Sequence, residues 1–195
     1  SLVGSEMCIR DSTNYTPTYA LFHGTIGYTV ECGENNEASV TMGKYGLIGH
    51  TTYVAENKND LYLNQLEFFR RALNNEESPE TEKWFVTQDN QVEENFREKD
   101  EYGKFYPEYY VIPTDAASQR DIADAYFMQE YFIRNGVQVE KLTQDVTVNG
   151  VTYKAGAFVI DMHQISRSFA NAVLYKGKIV KNWTGLFSEL SLIHI

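Results

Sequence analysis

Among the side chains able to do chemistry, Glu31 holds the most suggestive position. It closes the run Gly27-Tyr28-Thr29-Val30-Glu31, whose β-branched and aromatic residues read as a strand, and the turn residues Gly33-Glu34-Asn35-Asn36 follow it. A carboxylate at the carboxyl end of a strand, facing a loop crevice, lies where open α/β sheets bind ligands. Desolvation there raises the carboxyl's pKa and suits it to general acid/base work. The same residue is also compatible with a solvated edge-strand carboxylate, or with one capping the helix that starts near Asn36. Beside it, Cys32 is either a thiol near a metal or a small buried residue.

The remaining chemistry is sparse. Zinc needs three or four suitable ligands brought together, and no histidine starts a local pair: Ile26 follows His23 by three residues, Tyr53 follows His50, and Ser166 follows His163. There is no dinucleotide glycine fingerprint, phosphate loop, paired-cysteine motif or nucleophile elbow. His163, Gln164 and Arg167 are close enough in sequence to line a ligand groove, or to hold hydrogen-bonded structural positions. His23 and His50 read as structural.

The two ends of the chain are related through the genetic code. Met7-Cys8-Ile9-Arg10-Asp11-Ser12 can be written ATG TGT ATA AGA GAC AG plus one base. The reverse complement translates as Leu-Ser-Leu-Ile-His-Ile, which is Leu190 to Ile195. Residues 1–12 and 190–195 are therefore expected to be translated library adapter, so Cys8 and His194 leave the search for a site. The natural sequence between them is expected to be a piece of a longer protein. With Cys8 removed, Cys32 alone cannot close an intramolecular disulfide. The net charge is −10, of which the end segments account for one negative unit. That balance argues against nucleic acid or an anionic membrane surface as partner. No apolar run has membrane-spanning length.

The elements that must position Glu31 follow from periodicity. Tyr19 to Cys32 reads as a strand pair or one interrupted strand. A helix from about Glu37 places Ala38, Met42, Tyr45 and Ile48 near one face. A second helix, capped at Asn59-Asp60, carries the stripe Tyr62, Leu66, Phe69, Leu73. An acidic stretch holding Pro79 and the island Trp84-Phe85-Val86 then reads as a linker or long excursion. A second unit begins with the strand Tyr109 to Ile112. Ser118 is expected to cap the next helix, which ends at Asn135-Gly136, and Val137 to Leu142 is the following strand. That strand–helix–strand order is the building block of α/β layers. An Asn149-Gly150 hairpin, a strand at Ala157 to Asp161 and a helix from Ser166 to Leu174 complete it.

Residues 13–75 resemble the carboxyl-terminal segment of carboxypeptidase A-type zinc metallopeptidases. In that family a late strand ends in Thr-x-Glu or Phe-x-Glu, matched here by Thr29-Val30-Glu31. The glycine-containing stretch Phe22-His23-Gly24-Thr25-Ile26-Gly27 precedes it and two long helices follow. Tyr110-Val111-Ile112-Pro113, Asn135 to Val139, Tyr153 to Ile160 and Met162 to Arg167 resemble an extra domain of some bacterial members.

The resemblance implies an α/β fold. Residues 13–75 would be the carboxyl-terminal part of a carboxypeptidase-like α/β/α sheet domain, 76–106 an acidic linker, and 107–189 a small α/β accessory domain. It implies metal-assisted hydrolysis of carboxyl-terminal peptide bonds, with zinc activating water and Glu31 moving its proton. The zinc ligands, an H-x-x-E pair and a later His, would lie upstream of this chain, as would the arginine that binds the substrate carboxylate. A family tyrosine precedes the catalytic Glu on a mobile loop, and Tyr15 and Tyr19 match it by location only. The implied partner is a peptide substrate and the implied location extracellular or at the cell surface. A non-catalytic peptide- or cell-wall-binding α/β module is the other class the sequence admits. Oligomeric state is open.

Overall fold

The computed structural model describes residues 16–27, 34–77 and 103–175, which mix helices with small antiparallel sheets. That mixture is compatible with the α/β class expected. The second unit is built on three strands, β1 (Tyr109–Ile112), β2 (Glu140–Lys141) and β5 (Phe158–Asp161), in the order β1-β5-β2. β5 is antiparallel to both neighbours, pairing Ile160 with Tyr110 and Val159 with Glu140. β1 and β2 therefore run parallel to one another with β5 inserted between them. The expected strand–helix–strand unit is present in this split form.

Side-chain alternation explains the packing. Tyr110 and Ile112 on β1, and Phe158 and Ile160 on β5, share one sheet face. That face meets α4 (Ile122–Arg134) and α5 (Arg167–Leu174), where Phe132, Ile160, Met162 and Phe169 are fully buried. Val137, expected in a strand, instead packs into this core, and only Glu140 and Lys141 of that segment join the ladder. β3 (Val146–Val148) and β4 (Val151–Tyr153) form the expected hairpin. Asn149 and Gly150 both take positive φ, 50° and 79°, the backbone its two-residue turn demands.

The start of α4 differs from expectation. α4 is capped by Asp121, whose Oδ1 accepts from the Ala123 amide at 2.9 Å. Ser118 cannot do this, because it lies in the preceding turn and its hydroxyl donates to Asp115. The end of α4 matches expectation: Asn135 is the C-cap, Gly136 has φ 79°, and the Val137 amide returns to the Phe132 carbonyl.

The first described element is a helix, α1 (Thr16–Phe22), where a strand was expected from Tyr19. Tertiary packing overrides strand propensity here. Tyr19 and Phe22 meet Phe169 edge-on, with ring centroids 5.8 and 6.4 Å apart. α2 (Glu37–Glu56) is capped by Asn36, which accepts from the Ser39 amide at 3.0 Å. α3 (Lys58–Leu73) starts one residue before Asn59, and Asn57 at its N-cap makes no side-chain capping bond, donating instead to the carbonyl of Tyr53. The covered face of α3 is Leu61, Gln65, Phe68, Phe69 and Ala72, so Tyr62, Leu66 and Leu73 of the expected stripe are exposed.

Residues on either side of 78–102 lie together. The Asn75 amide donates to the Pro107 carbonyl at 3.1 Å, and a Glu77 oxygen accepts from the amides of Phe105 and Tyr106. Arg167, at the start of α5, donates to Asn75 Oδ1 at 2.9 Å and to the Glu76 carbonyl.

Candidate functional site

Glu31, the expected general acid/base, and Cys32 lie within 28–33, outside the described residues. Tyr15 is outside them as well. The approach to Glu31 is described as far as Gly27, and both of its glycines are required by geometry. Gly24 has φ +74°, and a Cβ there would lie 2.8 Å from the Phe69 ring. A Cβ on Gly27 would lie 2.3 Å from the carbonyl oxygen of Pro17. Gln65 on α3 donates to the Gly24 carbonyl at 3.0 Å. The segment is thus held between α1 and α3 before the chain reaches the Thr29-Val30-Glu31 motif.

Beside this approach is a pocket of about 300 Å³. Gly24 to Ile26 line one side, and His50, Val54, Lys58 and Tyr62 the other. Its lining joins apolar surface to one imidazole and one ammonium, which suits binding of a partly apolar group more than proton transfer by paired carboxylates. Tyr19, the other tyrosine considered by location, faces the core: its ring stacks on His23 at 4.2 Å. His23 is structural, its ring nitrogens lying 2.8 Å from the Tyr19 carbonyl oxygen and 3.1 Å from that of Asn135. Among the described residues, no group of three or more His, Cys, Asp or Glu side chains could hold a metal ion.

His163, Gln164 and Arg167 do not line a common groove. Gln164 is buried and satisfied locally: its Oε1 accepts from the Gln138 amide at 2.7 Å, and its Nε2 donates to the carbonyls of Gln138 and Asp161. It locks the segment before β2 onto the turn after β5. Arg167 is buried under the Tyr106 ring, 4.2 Å from its centroid, and its Nε has no hydrogen-bond partner among the described residues. Burial pushes its pKa down. His163 is exposed, with Nδ1 2.9 Å from Asp161 Oδ1 and Nε2 3.6 Å from Glu108. The Lys104 ammonium bonded to Glu108 holds that carboxyl below the usual carboxylate range.

Sequence reasoning did not foresee the Asn75–Arg167–Tyr106 cluster, because its members are far apart in the chain. The available signal was an arginine inside an otherwise apolar helix pattern, Arg167-Ser168-Phe169-Ala170. No helix among the described residues is long and apolar enough to cross a membrane. No protein-family model matches this chain, and neither a curated protein nor a solved structure matches it.

Proposed function

We propose that this chain is the carboxyl-terminal part of a zinc-dependent metallocarboxypeptidase that hydrolyses carboxyl-terminal peptide bonds, with Glu31 as general acid/base. The observation that carries the reading is the surface of the two helices that follow the Thr29-Val30-Glu31 motif. Periodicity assigns Ala38, Met42, Tyr45 and Ile48 on α2, and Tyr62, Leu66, Phe69 and Leu73 on α3, to buried faces. All of these but Phe69 are exposed among the described residues, and no residue of α2 is buried. Apolar helix faces of that extent mark surface that another element covers. Helices packed against the sheet of a larger catalytic domain would carry such faces. The Glu motif, the glycine strap before it and the helix pair after it occur in the order of the family that residues 13–75 resemble.

The described residues do not themselves fit a zinc ion, since they offer no ligand cluster. The metal would be held by residues upstream, and no step through it is derived from this chain. What this chain would supply is the Glu31 carboxylate, which accepts and returns a proton. A peptide substrate and an extracellular or cell-surface location belong to the same proposal.

The test is the contiguous gene. The proposal expects an H-x-x-E pair and a later His upstream of Glu31, and their absence there removes the enzyme assignment. A second arm uses the purified chain itself. It should bind no zinc tightly and cleave no peptide; stoichiometric zinc with peptidase activity would refute the placing of the ligands elsewhere.

A further inference from the structure

The three-stranded sheet has two outer edges that differ in kind. The outer edge of β2 is two residues long and consists of Glu140 and Lys141. Short charged edges are how proteins prevent unwanted strand pairing. Among the described residues, the outer edge of β1 has no such protection. Tyr109-Tyr110-Val111-Ile112 carries no charge and no proline, and Pro113 only bounds it.

Ladder alternation fixes which backbone groups are outward. The Met162 amide donates to the Glu108 carbonyl, so Glu108 faces β5, and Tyr110 and Ile112 do so in turn. The N–H and C=O groups of Tyr109 and Val111 therefore point away from β5, and among the described residues no strand pairs with them.

The same strand floors a groove. Tyr109, Val111 and Val159 lie on the sheet face opposite the helices. With Leu142 and the hairpin residues Val146 and Tyr153 they enclose about 650 Å³. Strand addition is a recognition mode with two requirements. An exposed edge supplies main-chain hydrogen bonds, and pockets beside it take alternate side chains. β1 offers both at one place.

We propose that the β1 edge and its groove bind an extended peptide segment that adds as a fourth strand. Every second side chain of the peptide enters the groove, so apolar residues alternate with polar ones. The described residues of this unit, 103–175, hold six Lys or Arg against eight Asp or Glu, a mildly acidic balance that favours a peptide with basic flanks. This site lies in the second unit and does not depend on the hydrolase reading.

The probe is a short fluorescein-labelled peptide of alternating valine and threonine with a lysine at each end, titrated with the whole chain and followed by anisotropy. Saturable binding is expected, with slowed hydrogen exchange at the Tyr109 and Val111 amides. N-methylation of the ladder-forming amides of the peptide keeps its side chains but removes its donors, and should weaken binding about tenfold or more, the loss of one or two main-chain hydrogen bonds. Val111→Pro should do the same from the protein side. It deletes an outward donor and leaves the β1–β5 ladder intact, as edge strands allow. Val148→Asp, on the groove wall, should weaken binding without touching the edge. Absence of saturable binding, or equal affinity for the N-methylated peptide, overturns the proposal. So does concentration-dependent dimerisation that Val111→Pro abolishes, since that result assigns the edge to a second copy of the chain.

Discussion

Replacing Phe169 by alanine should destabilise both the second unit and the docking of α1. Phe169 is fully buried on α5 and is shared by two parts of the chain. From the second unit Tyr131 approaches it, with centroids 5.8 Å apart. From the first unit come Tyr19, Phe22 and His23, the last with its centroid 5.4 Å away. Truncating a buried phenylalanine costs roughly 3–5 kcal/mol in transfer and cavity terms. Each lost aromatic pair adds about 0.5–1.5 kcal/mol, though the pairs share one ring and do not sum. A total near 4 kcal/mol is a large share of the ~5–15 kcal/mol by which domains are stable.

Phe22→Ala provides the control, because Phe22 is only partly buried and lies on α1. It should cost ~1–2 kcal/mol by the same area scale, and release α1 while the sheet stays intact. Urea unfolding followed by far-ultraviolet circular dichroism gives the free energies. Hydrogen exchange resolved by segment gives the location. The reasoning is refuted if Phe169→Ala loses less than about 1 kcal/mol, or if amides of residues 16–27 exchange unchanged in that variant.

Other outcomes follow from single contacts. Gly24→Ala should destabilise by about 1–3 kcal/mol, since Gly24 has φ +74° and a Cβ would strike Phe69; unchanged urea midpoints would contradict this. Asp121→Ala should cost about 1 kcal/mol through the lost cap of α4, and Ser118→Ala much less, in the same assay. Arg70 donates to Glu67 and Glu76 and lowers both carboxyl pKa values below the ordinary glutamate range. Their stabilisation is present above that range and is lost as pH falls through the lowered values. Acid titration of the urea midpoint should therefore be less steep in Arg70→Gln. Both carboxylates are exposed, so the difference should be small and should shrink with added salt.

Local chemistry was legible in the sequence where a residue type has few alternatives. Asn149-Gly150 announced its turn because positive φ at two successive positions admits few other pairs, and Gly136 announced a helix end because the residue after the C-cap takes positive φ. The start of α2 was recognisable because helix periodicity begins directly after the turn residues Gly33 to Asn36. The cap of α4 was misplaced because Ser118 and Asp121 are both good capping types, and only the Asp115 turn decides between them. α1 was misread because a short segment with Tyr19 and Phe22 has apolar spacing compatible with either period, and its docking on Phe169 is invisible locally. The insertion of β5 between β1 and β2 is likewise a long-range choice that no window of sequence contains. Periodicity found the apolar stripe of α3 but not which face is covered among the described residues: Gln65 and Phe68 turn inward and Leu66 outward. The Glu31 motif was read from residue order alone, and 28–33 lie outside the described residues.

The central claim is that Glu31 moves the proton in a zinc-dependent hydrolysis whose metal ligands lie upstream. Its most direct measurement is peptidase turnover and zinc content of the upstream-extended protein, wild type against Glu31→Gln. The account predicts that Glu31→Gln abolishes turnover and leaves zinc content unchanged. An unaffected rate in Glu31→Gln, with zinc bound, would contradict it.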